Sequence, residues 1–184
     1  MAQQADRIPG SWWGKTALAG VIGAVAFGLY VMIAAAMAAG ANAFWQPMNL
    51  IGATVPAFSP PAVGFEAGPS LTGMAIHLAM GAVWGLIYGA IAAAAFPRAL
   101  HKMGASTLAG LGLGLTAYVI TGLILGPLVN PSLALAEPIN YFIGHMVFGF
   151  VTAWALTAMT NRREVEITRA PSRIRVEKRE ELHR

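Results

Sequence analysis

The chain alternates long apolar runs with shorter connections that carry its polar residues and prolines. Four runs stand out, at about 16–39, 71–96, 105–126 and 139–160, and none contains Lys, Arg, Asp or Glu. A hydrocarbon core about 30 Å thick takes about 20 apolar residues of helix to cross. Lipid offers the backbone no hydrogen-bond partner, so such a run must satisfy its own amides and fold as a helix. The pattern predicts an all-α membrane protein: a four-transmembrane-helix bundle over 16–160, preceded by a short segment (1–15) and followed by a tail (161–184).

The connections differ from one another. The 41–70 stretch, "ANAFWQPMNLIGATVPAFSPPAVGFEAGPS", is apolar, but prolines at 47, 56, 60, 61 and 69 prevent a long helix. Pro47 is placed to open a short helix, "PMNLIGATV", in an apolar loop that rests on the bundle's outer face or lids a ligand. "ANA" at 41–43 resembles a signal-cleavage site, but the apolar run before it is about 24 residues, longer than the usual h-region of about 7–15. Cleavage there is not expected. In the tail, "EVEITR" and "RIRVEK" alternate apolar and charged residues around "APS", a pattern open to a small hairpin, to a solvated tail drawn to anionic lipid, or to a docking segment for a cytoplasmic partner.

Composition agrees with the bilayer: 57% of the 184 residues are hydrophobic and 11% charged, about half the charged share of a soluble domain. There is no cysteine, which excludes disulfides, thiolate metal sites and cysteine nucleophiles. The twelve Lys and Arg residues are distributed unevenly. They lie before the first span (Arg7, Lys15), between the second and third (Arg98, Lys102), and in the tail, which holds eight. The 41–70 and 127–138 connections hold only the acids Glu66 and Glu137. The positive-inside rule then places both termini in the cytoplasm, N-in and C-in. Trp12 and Trp13 suit an inner aromatic belt, and Phe44 with Trp45 an outer one.

Spans one plus two and three plus four read as two helical-hairpin repeats, each opening on a glycine-rich helix and closing on one that bears a histidine. His77 and His145 each lie about six residues inside their span, about 9 Å below the outer boundary. On the second span Gly73, His77, Gly81, Gly85 and Gly89 share a face; on the fourth, Tyr141, His145, Gly149 and Thr152 do. Both imidazoles therefore point at neighbouring helices.

Three roles suit such a pair. Each ring can hydrogen-bond across helices, a modest contact of about 1 kcal/mol. The two can clamp a tetrapyrrole, haem or chlorophyll-type, from both faces, with Gly81 and Gly149 clearing room for the macrocycle. They can also titrate in a small proton or solute path with Glu66 or Glu137 at its outer mouth, although no carboxylate continues a relay through the spans. Other signals are weaker. "GLGLGL" at 110–115 lies inside a span and follows no strand, so it is no phosphate loop. Met74, Met80, Met146 and Met159 read as apolar filler. No catalytic set appears, no metal site is expected, and the basic tail lacks the aromatic interleaving of a nucleic-acid binder.

His77, Tyr88 eleven residues later, Phe96-Pro97, the glycine-rich third span, Pro127 and Pro131, then Glu137 and "GHMVF" (144–148) make residues 71–163 resemble the YagU-like family of bacterial inner-membrane proteins. The resemblance implies a small polytopic membrane protein without an assigned reaction, in which His77, His145 and Glu137 form one outer-side constellation with Glu66 and Tyr141 nearby. It names no ligand. The expectation is a non-enzymatic accessory or structural subunit of a larger membrane assembly, partnered by lipid and by other subunits or copies of itself.

Overall fold

A computed structural model describes residues 10–58, 61, 63–95 and 102–181, those after Asn161 as backbone alone. Arg7, Phe96-Pro97 and Arg98 lie outside the described residues, as does His101. The regular structure among the described residues is all helical, with no strand. Four helices are long and apolar enough to cross a membrane: Ser11–Ala39, Ala67–Ala95, Met103–Val129 and Pro138–Asn161. An all-α four-helix membrane bundle is therefore the fold.

Helix α1 (Gly10–Ala39) starts inside the segment expected to precede the first span. A 3₁₀ turn, Ala41–Trp45, leads to α2 (Gln46–Gly52), which Pro47 opens as anticipated. Proline suits a helix's first turn, where its missing N–H has no partner to lose. The second span, α3 (Ala67–Ala95), begins four residues before the expected boundary and tolerates Pro69 in its first turn for the same reason. The third span is composite: α4 (Met103–Ala117), a π-helical stretch (Tyr118–Leu125) and α5 (Gly126–Val129). Pro127 cannot donate a hydrogen bond and its ring crowds the preceding turn, a recognised cause of widened helical turns. A 3₁₀ turn, Pro131–Leu135, leads to α6 (Pro138–Glu181). Its backbone stays helical to Glu181, so the alternating tail segments are not a hairpin. A lone two-stranded ribbon has no sheet to join and is marginal in water.

Packing inverts the rule for soluble proteins. On α1 the large residues Leu18, Ile22, Val25, Leu29 and Ile33 face outward, and the buried stripe is Thr16, Ala19, Gly20, Gly23, Ala24 and Phe27. Lipid solvates Leu and Ile as well as a protein interior does, so helices gain by close backbone approach at small residues. A Cβ on Gly20 would collide with the Gly81 carbonyl and the Gly85 backbone, and one on Gly149 with the Gly110 carbonyl and the Gly114 amide. Gly23 is closed over by Phe148 and Thr152, and Gly144 by Phe27 and Val31. Helices α1 and α3 thus pack together, α1 and α6 pack together, and α6 packs on α4. The remaining pair, α3 and the third span, hardly touch.

Where they do touch, near the end of the bundle from which α1 starts, a buried hydroxyl cluster joins three helices. Thr157 Oγ1 donates to Ser106 Oγ at 2.7 Å, Ser106 Oγ reaches the Ala153 carbonyl at 3.4 Å, and Tyr88 Oη lies 3.3 Å from the Ser106 carbonyl. At that end Lys15 also extends along α6, its Nζ donating to the Met159 carbonyl at 2.8 Å.

Candidate functional site

At the opposite, loop-bearing end the helices enclose a cavity of approximately 280 Å³ between α3 and the third span. Ala24 and Phe27 of α1 and Tyr141, His145 and Phe148 of α6 form its back. Ile76, His77, Met80 and Trp84 form one side, and Ala117, Thr121 and Leu125 the other. Ile51 and Thr54 roof it.

The roof departs from a loop resting passively on the outer face. Met48, Asn49, Leu50 and Gly52 of α2 are buried, and Gly73 of α3 lets the Met48 carbonyl pass where a Cβ would block it. Two asparagines fasten this element. Asn49, fully buried, donates to the Gly64 carbonyl at 2.7 Å and accepts from Ser70 Oγ at 2.7 Å. Asn130 donates to the Leu50 carbonyl at 2.7 Å and to Thr54 Oγ1 at 3.1 Å, while its Oδ1 accepts from the Ser132 amide at 3.0 Å. One side chain therefore caps the turn after the third span and ties it to the roof. Neither asparagine stood out in the sequence: Asn49 is one of three amides in its connection, with Asn42 and Gln46, and Asn130 is the single amide in its own.

Both histidines reach the cavity. The His77 Nε2 lies 2.9 Å from the Ala24 carbonyl of α1, and the His145 Nδ1 lies 2.9 Å from the Tyr141 carbonyl one turn earlier in α6. Phe27 packs on both rings, with centroid distances of 5.1 Å to His77 and 4.6 Å to His145. Tyr141 and Tyr118 add further edge contacts to His145 at 4.7 and 5.6 Å. The imidazoles thus share one aromatic cluster and point into the bundle. A macrocycle ligated by both would need the space that the Phe27 ring holds and the His77 nitrogen already bonded to Ala24.

The glycines expected to give clearance have another use. Gly81 meets the Ala24 side chain and the Gly20 backbone, and Gly149 meets Gly110 and Gly114. Their missing side chains admit a neighbouring helix, and Gly81 also borders the cavity.

The two acids of the connections separate. Glu137 caps α6: its Oε2 accepts from the Asn140 amide at 2.6 Å and its Oε1 from the Ile139 amide at 3.2 Å. It also lines a second cavity, of about 250 Å³, together with Gln46, Asn140, His77 and Tyr141. Phe27, Ile51, His77, Leu133 and Tyr141 border both cavities. Glu66 is exposed ahead of α3, its amide donating to Ser70 Oγ at 3.2 Å, and it borders neither. Among the described residues, no three His, Asp or Glu side chains gather as a metal site would require.

Comparisons with family models, with curated proteins and with solved structures find no match to this chain.

Proposed function

We propose that the chain is a non-enzymatic integral component of a bacterial inner membrane, of the YagU-like kind, that serves a larger assembly by holding an apolar guest between α3 and the third span. The cavity carries this reading. It is bounded by apolar side chains from all four spans, and at approximately 280 Å³ it approaches the size of small-molecule sites, about 300–1,000 Å³. Its rim residues Met80, Leu125 and Val129 are 43%, 47% and 65% exposed, and all three belong to spans. A guest would therefore enter sideways from the bilayer rather than from water. Nothing in the lining resembles a nucleophile with its base, which is what a hydrolytic or transfer reaction would need.

Native mass measurement of protein released from a mild detergent tests the proposal. Adducts with a lipophile or with partner subunits are expected. Lipophile adducts should fall when Ile76→Trp narrows the cavity. A bare monomer without adducts or partners would overturn the reading.

A further inference from the structure

The histidine hydrogen bonds determine which kind of guest the cavity suits. A carbonyl oxygen can only accept, so His145 Nδ1 carries the hydrogen in its contact with Tyr141. The neutral ring then presents a lone pair at Nε2, which has no protein partner. His145 is 4% exposed and borders the cavity. An acceptor on a residue that borders an apolar cavity is costly to leave without any partner. The Tyr141 hydroxyl, on the same helix and bordering the same cavity, also lacks a protein partner. Of the other polar groups, Asn130 is engaged with Leu50, Thr54 and Ser132, Thr121 with the Ala117 carbonyl at 2.5 Å, and His77 through Nε2 with Ala24, while His77 Nδ1 and Trp84 Nε1 have no hydrogen bond among the described residues.

Charge narrows the class further. None of the residues bordering the cavity is Lys, Arg, Asp or Glu. A phosphate or carboxylate headgroup would enter without a counter-charge, as would an ammonium, and burying an unpaired charge is prohibitive. Resting on the reading of the cleft as a guest site, we infer that the guest is a neutral lipophile bearing a free hydroxyl, a prenyl alcohol or a quinol. Its O–H donates to His145 Nε2 and its oxygen accepts from Tyr141, while its chain lies along Ile76, Met80 and Leu125 toward the lipid.

Titrating the full chain in nanodiscs, with intrinsic tryptophan fluorescence, to which Trp84 of the cavity contributes, as the readout, tests this through matched probes. Farnesol is compared with farnesyl methyl ether, and a reduced short-chain prenylquinone with its oxidised form. Each hydroxyl-bearing probe should bind about tenfold tighter than its partner lacking a donor, the scale of one hydrogen bond to an otherwise unmatched group. The tighter of the two hydroxyl probes identifies the source. His145→Leu should erase the farnesol preference and leave ether binding unchanged, so retained ether binding also reports that the variant folds. Should that variant fail to fold, the wild-type ratios alone decide. Equal binding of alcohol and ether would overturn the hydroxyl inference and leave the guest site standing. Absence of saturable binding by every probe would remove the guest site as well.

Discussion

The α1–α6 seam is closed, whereas the α3–third-span cleft is open. Setting Leu18-Ala19-Gly20 beside Leu108-Ala109-Gly110, and His77 beside His145, brings the residues of the two into register. In the closed seam, Gly23 takes Phe148 and Thr152, and Gly144 takes Phe27 and Val31. Each bulky ring has a glycine to sink into. At the matching positions of the open pair stand Leu113 for Gly23, Ile76 for Gly144, Met80 for Phe148, Trp84 for Thr152 and Ala117 for Phe27. Branched side chains replace the two notches, and alanine replaces the ring that would fill the middle. Bulk against bulk holds helices apart, and space remains where the central side chain is small. The open cleft thus goes with larger side chains where the closed seam has glycine, and with alanine where the seam has Phe27.

The largest predicted effect comes from giving the closed seam the residue of the open one. Gly144→Ile would drive a side chain into Phe27, which cannot retreat because both imidazoles pack on it. A loss of about 3 kcal/mol or more is expected, at the upper end for overpacking. Steric-trapping or SDS titrations in bicelles would measure it, and unchanged stability would mean that the seam is looser than described.

Next comes Phe27→Ala, which places in the seam the alanine that the open side carries at position 117. In soluble cores Phe→Ala costs about 3–5 kcal/mol, but lipid removes most of the transfer term, so about 2–3 kcal/mol is expected in the same assay. Because Phe27 borders both cavities, the variant should also join them and take up a bulkier lipophile than the wild type does. Weakened binding of every lipophile would argue against this ring as the partition.

Asn130→Ala ranks third. It removes two bonds to the roof and one cap, for about 1–2 kcal/mol, and frees α2 locally. Hydrogen exchange at Leu50 and Thr54 should rise while that of the α1–α6 seam stays unchanged. A uniform rise would mean that the roof and the bundle unfold together.

Much of this fold was legible because crossing a bilayer imposes length and apolarity, so four spans could be placed to within a few residues. Pro47 likewise marked the start of α2, and the glycine faces correctly turned His77 and His145 inward. The open cleft was not legible. In spans that are apolar on every side, a leucine facing lipid and one facing a helix look alike, so nothing in the pattern separates Leu113 from Leu115. The close helix contacts at Gly81 and Gly149 were not legible for a related reason: a missing side chain marks close approach without naming what approaches. Ser106, Asn49 and Asn130 were overlooked because single small polar residues have no period, and their partners come from distant parts of the chain.

The "GLGLGL" stretch offers the smallest effect and the finest test of these distinctions. Its glycines alternate in role although their sequence surroundings are nearly identical. A Cβ on Gly110 would strike the Gly149 carbonyl, and one on Gly114 the His145 carbonyl, whereas a Cβ on Gly112 meets nothing within 4 Å. Gly112→Ala should therefore leave stability within about 0.5 kcal/mol of wild type, on the stabilising side, because alanine restricts the unfolded chain and favours helix. Gly114→Ala, two residues away and chemically the same change, should cost more and shift the His145 backbone that carries the imidazole. Unfolding titrations of the two variants, with farnesol affinity measured alongside, give a direct comparison. Equal losses would mean that the third span does not pack on α6 through the Gly110–Gly114 face, and the geometry of His145 within the cleft would have to be redrawn.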